Sequence, residues 1–274
     1  MSEDEVTAPL RVAAVSYLNA RPLVWDLERD PRLRVEGCPP AEAARRLLAD
    51  EADLALVPVA ALLRDPELTW LPGLAIAADG PVDSVFLYLD ETRAGGTEPA
   101  EVALDPKSRT SQLLAGIVLE RFLGRNPAAL RYRERDPDEA FAHEPRPAAI
   151  LVIGDAALGR AAPEGWRRID LAEVWREHTG LPFVFAVWGL KRGVRERNSW
   201  LEGRFRTALE AAEERLEEVV DAFAEPLRVG RDEALRYLRR RIVYRLGPRE
   251  REGLELFLEL ARPRLDDRGN PCST

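Results

Sequence analysis

The chain has 274 residues, 46% of them hydrophobic and 32% charged, and carries a formal net charge of −8. That length supports a sizeable core divided between two lobes, and the composition is that of a globular protein. A net negative chain lacks the clustered basic surface that general nucleic-acid binding requires.

The opening MSEDEVTAPLR is acidic, without the apolar segment of a secretory signal, and no apolar run approaches bilayer-spanning length. Cys38 and Cys272 stand far apart, in no metal-ligand or disulfide spacing. The expectation is a cytoplasmic protein with neither a membrane nor a nucleic-acid partner. Its basic residues are nearly all Arg; only Lys107 and Lys191 are lysines.

From residue 11 to about 190, short apolar runs alternate with helical stretches. Strands are predicted at 11–17, 53–59, 73–78, 82–89, 101–105, 148–154 and 182–189, several of them apolar on both faces. Between them PAEAARRLLADE (40–51) opens on Pro and reads as a helix. TSQLLAGIVLERFLG (110–124) places Leu114, Ile117, Val118 and Phe122 on one face and stops at Gly124. This order argues for an α/β fold with mixed, mostly parallel sheets. Beyond residue 195 the chain turns helical, with amphipathic helices predicted at 198–224, 233–246 and 248–262 before a polar tail.

Two stretches read as crossings between lobes: YLDETRAGGTEPAEVAL, and the return through GLPFVFAVWGLK. They divide the chain into a first lobe of residues 1–91 and 187–274, including the C-terminal helices, and an inserted lobe of residues 92–186. Two lobes joined by two strands make a hinged clamp around a small molecule.

Four apolar strands end abruptly in polar residues: SYLN (16–19), DGPVDS (79–84), DPKSRTS (105–111) and IGDAAL (153–158). Ligands of open α/β sheets collect at the carboxyl ends of strands, so the first, third and fourth can converge on one cleft. In SRTS, Ser108, Thr110 and Ser111 offer hydroxyls at a helix start, where unpaired N–H groups and the helix dipole favour an anion, and Arg109 suits a carboxylate. Plain N-capping by Ser108 accounts for the same residues. Asn19 and Asp155 likewise read either as caps or as ligand contacts. Ser84 interrupts an apolar strand, where a buried Ser also bonds backbone carbonyls. Acid–base candidates are few. His143 lies in a polar loop and His178 near a helix end, and there is no G-x-S-x-G, P-loop, G-x-G-x-x-G or HExxH motif. The residues alone stop at a two-lobed binder of a small anion.

SYLNARPL, DGPVDSVFLYL, SRTSQLL, AAILVIGDAAL and LAEVWREHTGLPFVFAVW together resemble the chorismate dehydratases of the futalosine route to menaquinone. The resemblance runs in register from about residue 11 to 190 and weakly through the helical C-terminal part. It implies a periplasmic-binding-protein-like fold of the second type turned enzyme. Such an enzyme removes water from chorismate to give 3-[(1-carboxyvinyl)oxy]benzoate without metal or organic cofactor. The motif Asn falls on Asn19 and the hydroxyl cluster on Ser108, Thr110 and Ser111.

The expected catalytic pair is Asn19, orienting the leaving hydroxyl, with Ser84 close by, while the substrate's own enolpyruvyl carboxylate acts as base. Ser16, Tyr17, Arg109, Gly154 and Asp155 complete the expected substrate-binding set. A sibling enzyme that makes 1,4-dihydroxy-6-naphthoate shares the segment Thr179-Gly180-Leu181-Pro182, but has a Cys-Pro-Asn-Asp run where this chain has SYLNARPL. It is also expected to use a His base. A non-catalytic binding protein is the other alternative. The expected assembly is a monomer or weak homodimer.

Overall fold

The computed structural model describes residues 8–90, 92, 100–223 and 225–265. The first residues, most of the linker expected at 91–99 and the polar tail with Cys272 lie outside the described residues. The described residues form ten strands: β1 (Leu10–Val15), β2 (Leu33–Cys38), β3 (Leu54–Pro58), β4 (Thr69–Ala78), β5 (Val85–Asp90), β6 (Ala100–Leu104), β7 (Leu130–Glu134), β8 (Ala149–Ile153), β9 (Trp166–Asp170) and β10 (Phe183–Leu190). The α-helices are α1 (Arg21–Val24), α2 (Pro40–Leu48), α3 (Arg109–Ile117), α4 (Pro137–Ala142), α5 (Leu171–Thr179), α6 (Val194–Arg197), α7 (Leu201–Glu214), α8 (Leu216–Asp221), α9 (Arg231–Arg240) and α10 (Pro248–Ala261).

Two five-stranded sheets share one plan. The first is ordered β2-β1-β3-β10-β4 and the second β7-β6-β8-β5-β9. In each, two neighbouring pairs are parallel and two antiparallel. The sheets are therefore evenly mixed rather than mostly parallel, because β5 and β10 run against their neighbours. Every residue of β3 and β8 is buried, which explains why these strands are apolar on both faces.

The pairing moves the lobe boundaries. β5 joins the second sheet from Val85 onward, and β10 joins the first from Phe183. The outward crossing is thus the 79–84 segment and the return is at 180–182, not at 91/92 and 186/187. A strand buried on both faces does not declare its sheet, and only its partners do.

The C-terminal part differs from three unbroken helices. The helix expected over 198–224 breaks at Arg215, whose φ of −119° and ψ of 36° are not helical. The one expected over 233–246 ends at Arg240, and Val243 and Tyr244 then pair with Ala77 and Ala75 of β4. The β-branched pair Ile242-Val243 suits that extended conformation better than a helix.

α10 packs on β10 of the first lobe and also on α3 of the second. Beside it, Trp175 of α5 is fully buried, with Phe122, Phe183 and Phe257 at centroid distances of 6.1, 5.2 and 6.3 Å. The Arg264 guanidinium, just past α10, bonds Glu120 at 2.8 Å and secures the same junction.

Candidate active site

Between the lobes lies a narrow cleft with about 50 Å³ of free interior volume. Most of its wall is apolar: Val15, Ile76, Val82, Val85, Ile153 and Phe185, with Pro40 and Pro58 at element ends. The polar side chains in it are those of Tyr17, Asn19, Ser84, Ser108 and Ser111. Among the described residues, no Asp, Glu, His, Lys or Arg side chain lines it.

β1 delivers the first group. Val15, Tyr17 and Asn19 reach the cleft at every second residue as the extended chain runs into a short 3-10 turn at Leu18–Ala20. Ser16 therefore points the other way: it is exposed and does not line the cleft, contrary to expectation. Asn19 makes no side-chain cap. Its backbone carbonyl accepts from the Tyr244 hydroxyl at 2.9 Å, and its side-chain oxygen is buried without a hydrogen-bond partner among the described residues. A buried amide oxygen without a partner is costly unless a ligand completes it.

Ser84 ends the outward crossing and is 1% exposed. Its Oγ accepts from the Tyr237 hydroxyl at 2.8 Å, and its carbonyl accepts from the N–H of Gly154 at 2.8 Å. The Asp170 carboxylate holds this crossing from below. It accepts from the N–H groups of Val82 (2.9 Å), Asp83 (2.7 Å), Ala172 (3.0 Å) and Glu173 (3.2 Å), so one side chain fixes the Ser84 loop and caps α5. Burial nevertheless pushes its carboxyl up to about 6.

At the start of α3 the serines serve as a cap and also face the cleft. Ser108 caps the helix, its Oγ accepting from the Ser111 N–H at 3.3 Å and the Ser111 hydroxyl at 3.2 Å, and both residues line the cleft. Thr110 and Arg109 do not. Thr110 is fully buried and its Oγ1 accepts from the Ala60 N–H of the first lobe at 3.0 Å. The Arg109 guanidinium turns away to Glu134 and, at 3.0 Å, to Gln112. Successive helical residues diverge by about 100°, so these four neighbours cannot share one face.

Gly154 lines the cleft at φ +64°, and a Cβ there would stand 2.7 Å from the Tyr17 ring. Glycine thus permits the close approach of the two lobes. Asp155 lies beside the cleft rather than in its wall. Its carboxylate accepts from the Leu18 N–H at 3.1 and 3.2 Å, across the lobes, and burial raises it to about 6, with Glu225 adding repulsion.

A sequence profile for menaquinone biosynthesis matches residues 10–263. This chain belongs to that family. A chorismate dehydratase from Thermus thermophilus is 31% identical to it over 260 residues, covering 89% of this chain and 92% of that protein. Among solved structures, a protein from Archaeoglobus fulgidus superposes with a TM-score of 0.76 at 15% identity, over 94% of this chain and 98% of that one. The periplasmic aliphatic sulphonate-binding protein of Escherichia coli gives 0.66 at 15% identity, over 98% and 90%. The fold of this family member is thus periplasmic-binding-protein-like.

In this menaquinone-biosynthesis protein, Asp170, Tyr237, Tyr244 and Asp105 support the site without having stood out in the sequence. Asp105 is fully buried, and its Oδ2 lacks a partner among the described residues. Burial raises its pKa, and burial likewise raises that of Tyr17, with the charges of Asp105 and Asp155 adding to it. Both histidines lie elsewhere: His178 bonds the Val174 carbonyl at 2.9 Å and stacks on Phe122, while His143 bonds the Pro145 carbonyl. Among the described residues no three His, Cys, Asp or Glu side chains gather as a metal site requires. No helix there is long and apolar enough to cross a membrane.

Proposed function

We propose that this protein is a chorismate dehydratase, a hydro-lyase that converts chorismate to 3-[(1-carboxyvinyl)oxy]benzoate and water in the cytoplasm. The single observation that carries the chemistry is the unpartnered Asn19 side-chain oxygen in an apolar cleft, next to the Ser84 hydroxyl. The relationship to the Thermus enzyme supplies the substrate.

The reaction removes the ring hydroxyl and the hydrogen on the neighbouring ether-bearing carbon, and the ring becomes aromatic. Much of the driving force therefore resides in the substrate, and the protein's task is to hold one conformer and stabilise the departing hydroxyl. A hydroxyl bound here donates to Asn19 Oδ1 and accepts from Ser84. The N-terminus of α3, with Ser108 and Ser111, receives a substrate carboxylate.

The base is the enolpyruvyl carboxylate of the substrate itself, which folds back to the C–H beside its own ether oxygen and passes that proton to the departing hydroxyl, released as water. The absence of any carboxylate, imidazole or amine side chain from the described cleft wall supports this assignment. It also disfavours the naphthoate-forming alternative with its His base.

Purified protein mixed with chorismate, followed by chromatography with mass detection, tests the reading. The expected product is lighter by one water and has an aromatic spectrum. Chorismate recovered intact, or converted only to prephenate at the background rate, would leave a binding protein.

A further inference from the structure

Tyr237 of α9 stands directly behind the site, in contact with Ser84. It is 4% exposed, and its hydroxyl lies 2.8 Å from Ser84 Oγ. Asn19, in the wall of the same cleft, has its Oδ1 buried without a partner among the described residues. Burial holds the phenol well above the ordinary tyrosine range, so it stays a proton donor at every physiological pH.

Resting on the dehydratase reading, we propose that Tyr237 is a positioning residue that sets the polarity of the leaving-group site. By donating to Ser84 Oγ it occupies a lone pair of that oxygen, and Ser84's own proton is left to point into the cleft. The chain of donors runs from the Tyr237 hydroxyl to the Ser84 hydroxyl and on to substrate. Each donor polarises the next. The site then presents one acceptor, Asn19 Oδ1, and one donor, Ser84 O–H, which is the pair a departing hydroxyl requires. Tyr237 does not itself line the cleft and acts only through Ser84.

The ring of Tyr237 also forms part of the wall of a separate groove with Phe86, Arg168 and Arg240. Phenylalanine keeps that wall and removes only the hydroxyl, so Tyr237→Phe is the informative change. Wild type, Tyr237→Phe, Ser84→Ala and the double variant are assayed with chorismate under steady-state conditions.

Tyr237→Phe is expected to lower kcat by roughly tenfold, the worth of one hydrogen bond, with KM held within about threefold. In the Ser84→Ala background the same change is expected to cost less than about twofold, because its only route to substrate is gone. Full kcat in Tyr237→Phe, full kcat in Ser84→Ala, or losses that multiply in the double variant would each overturn the proposal. Wild-type protein that leaves chorismate unchanged would overturn the dehydratase reading and this proposal with it. An active wild type without coupling would overturn this proposal alone.

Discussion

Asn19 enters the cleft with its backbone carbonyl bonded to Tyr244 and its side-chain oxygen awaiting a donor. Ser84 stands nearby, with its oxygen already engaged by Tyr237. These two groups make the polar centre of an otherwise apolar cavity. Arg109 is not part of it, because its guanidinium is engaged by Glu134 and Gln112 on the far side of α3. Arg109→Ala is therefore expected to leave KM for chorismate within about twofold, since an exposed ion pair contributes little; a steady-state assay in which KM rises tenfold would return Arg109 to the site. Asn19 and Ser84 were legible because a polar residue at the end of an apolar strand is conspicuous. Arg109 and Thr110 were misread because adjacency in sequence is not adjacency on a helix. Tyr237 was illegible: in EALRYLRRR it fits the apolar stripe of an ordinary amphipathic helix.

At the level of elements, the outward crossing carries the strain of the design. Asp83 sits at φ +59° immediately before Ser84, a conformation that non-glycine residues seldom adopt. The N–H groups of Val82 and Asp83, both donated to Asp170, hold it there. Asp170→Ala is expected to destabilise the fold by about 2 kcal/mol in denaturant melts, because buried donors lose their acceptor. It should also lower kcat by displacing Ser84. Unchanged melting and turnover would show that the crossing holds itself. The strands that escaped the sequence reading, β2, β7 and β9, are all edge strands. LRVEGC, LRYRE and WRRID carry charges on an exposed side, as edges do, and so lack the apolar run that revealed β3 and β8.

Over the whole molecule, bonds from one lobe to the other hold the cleft shut. The Leu18 N–H reaches Asp155, the Ala60 N–H reaches Thr110, and the Ala41 N–H reaches the Lys107 carbonyl at 3.1 Å. Asp155 makes closure sensitive to pH. In the closed form its carboxyl titrates near 6, whereas an Asp facing water titrates at about 4. The closed form therefore binds the proton more tightly. Between pH 6 and pH 4 acidification favours closing, and the advantage is lost as pH rises through that window. Small-angle scattering should show a smaller radius of gyration for the free protein at the lower pH, and no such change in Asp155→Asn. A pH-independent radius in the wild type would contradict this. The two-lobed plan was legible in the alternation of strands and helices. The hinge positions were not, because β5 and β10 are apolar enough for either sheet.

The most direct test of the central claim, that the Asn19 side chain does chemistry rather than mere binding, is one variant measured two ways. Asn19→Ala is titrated with chorismate by calorimetry, and its turnover is followed in parallel. The account predicts that binding survives within about tenfold while kcat falls by about a hundredfold or more, as when a transition-state hydrogen bond is removed. Full turnover in that variant would remove Asn19 from the mechanism.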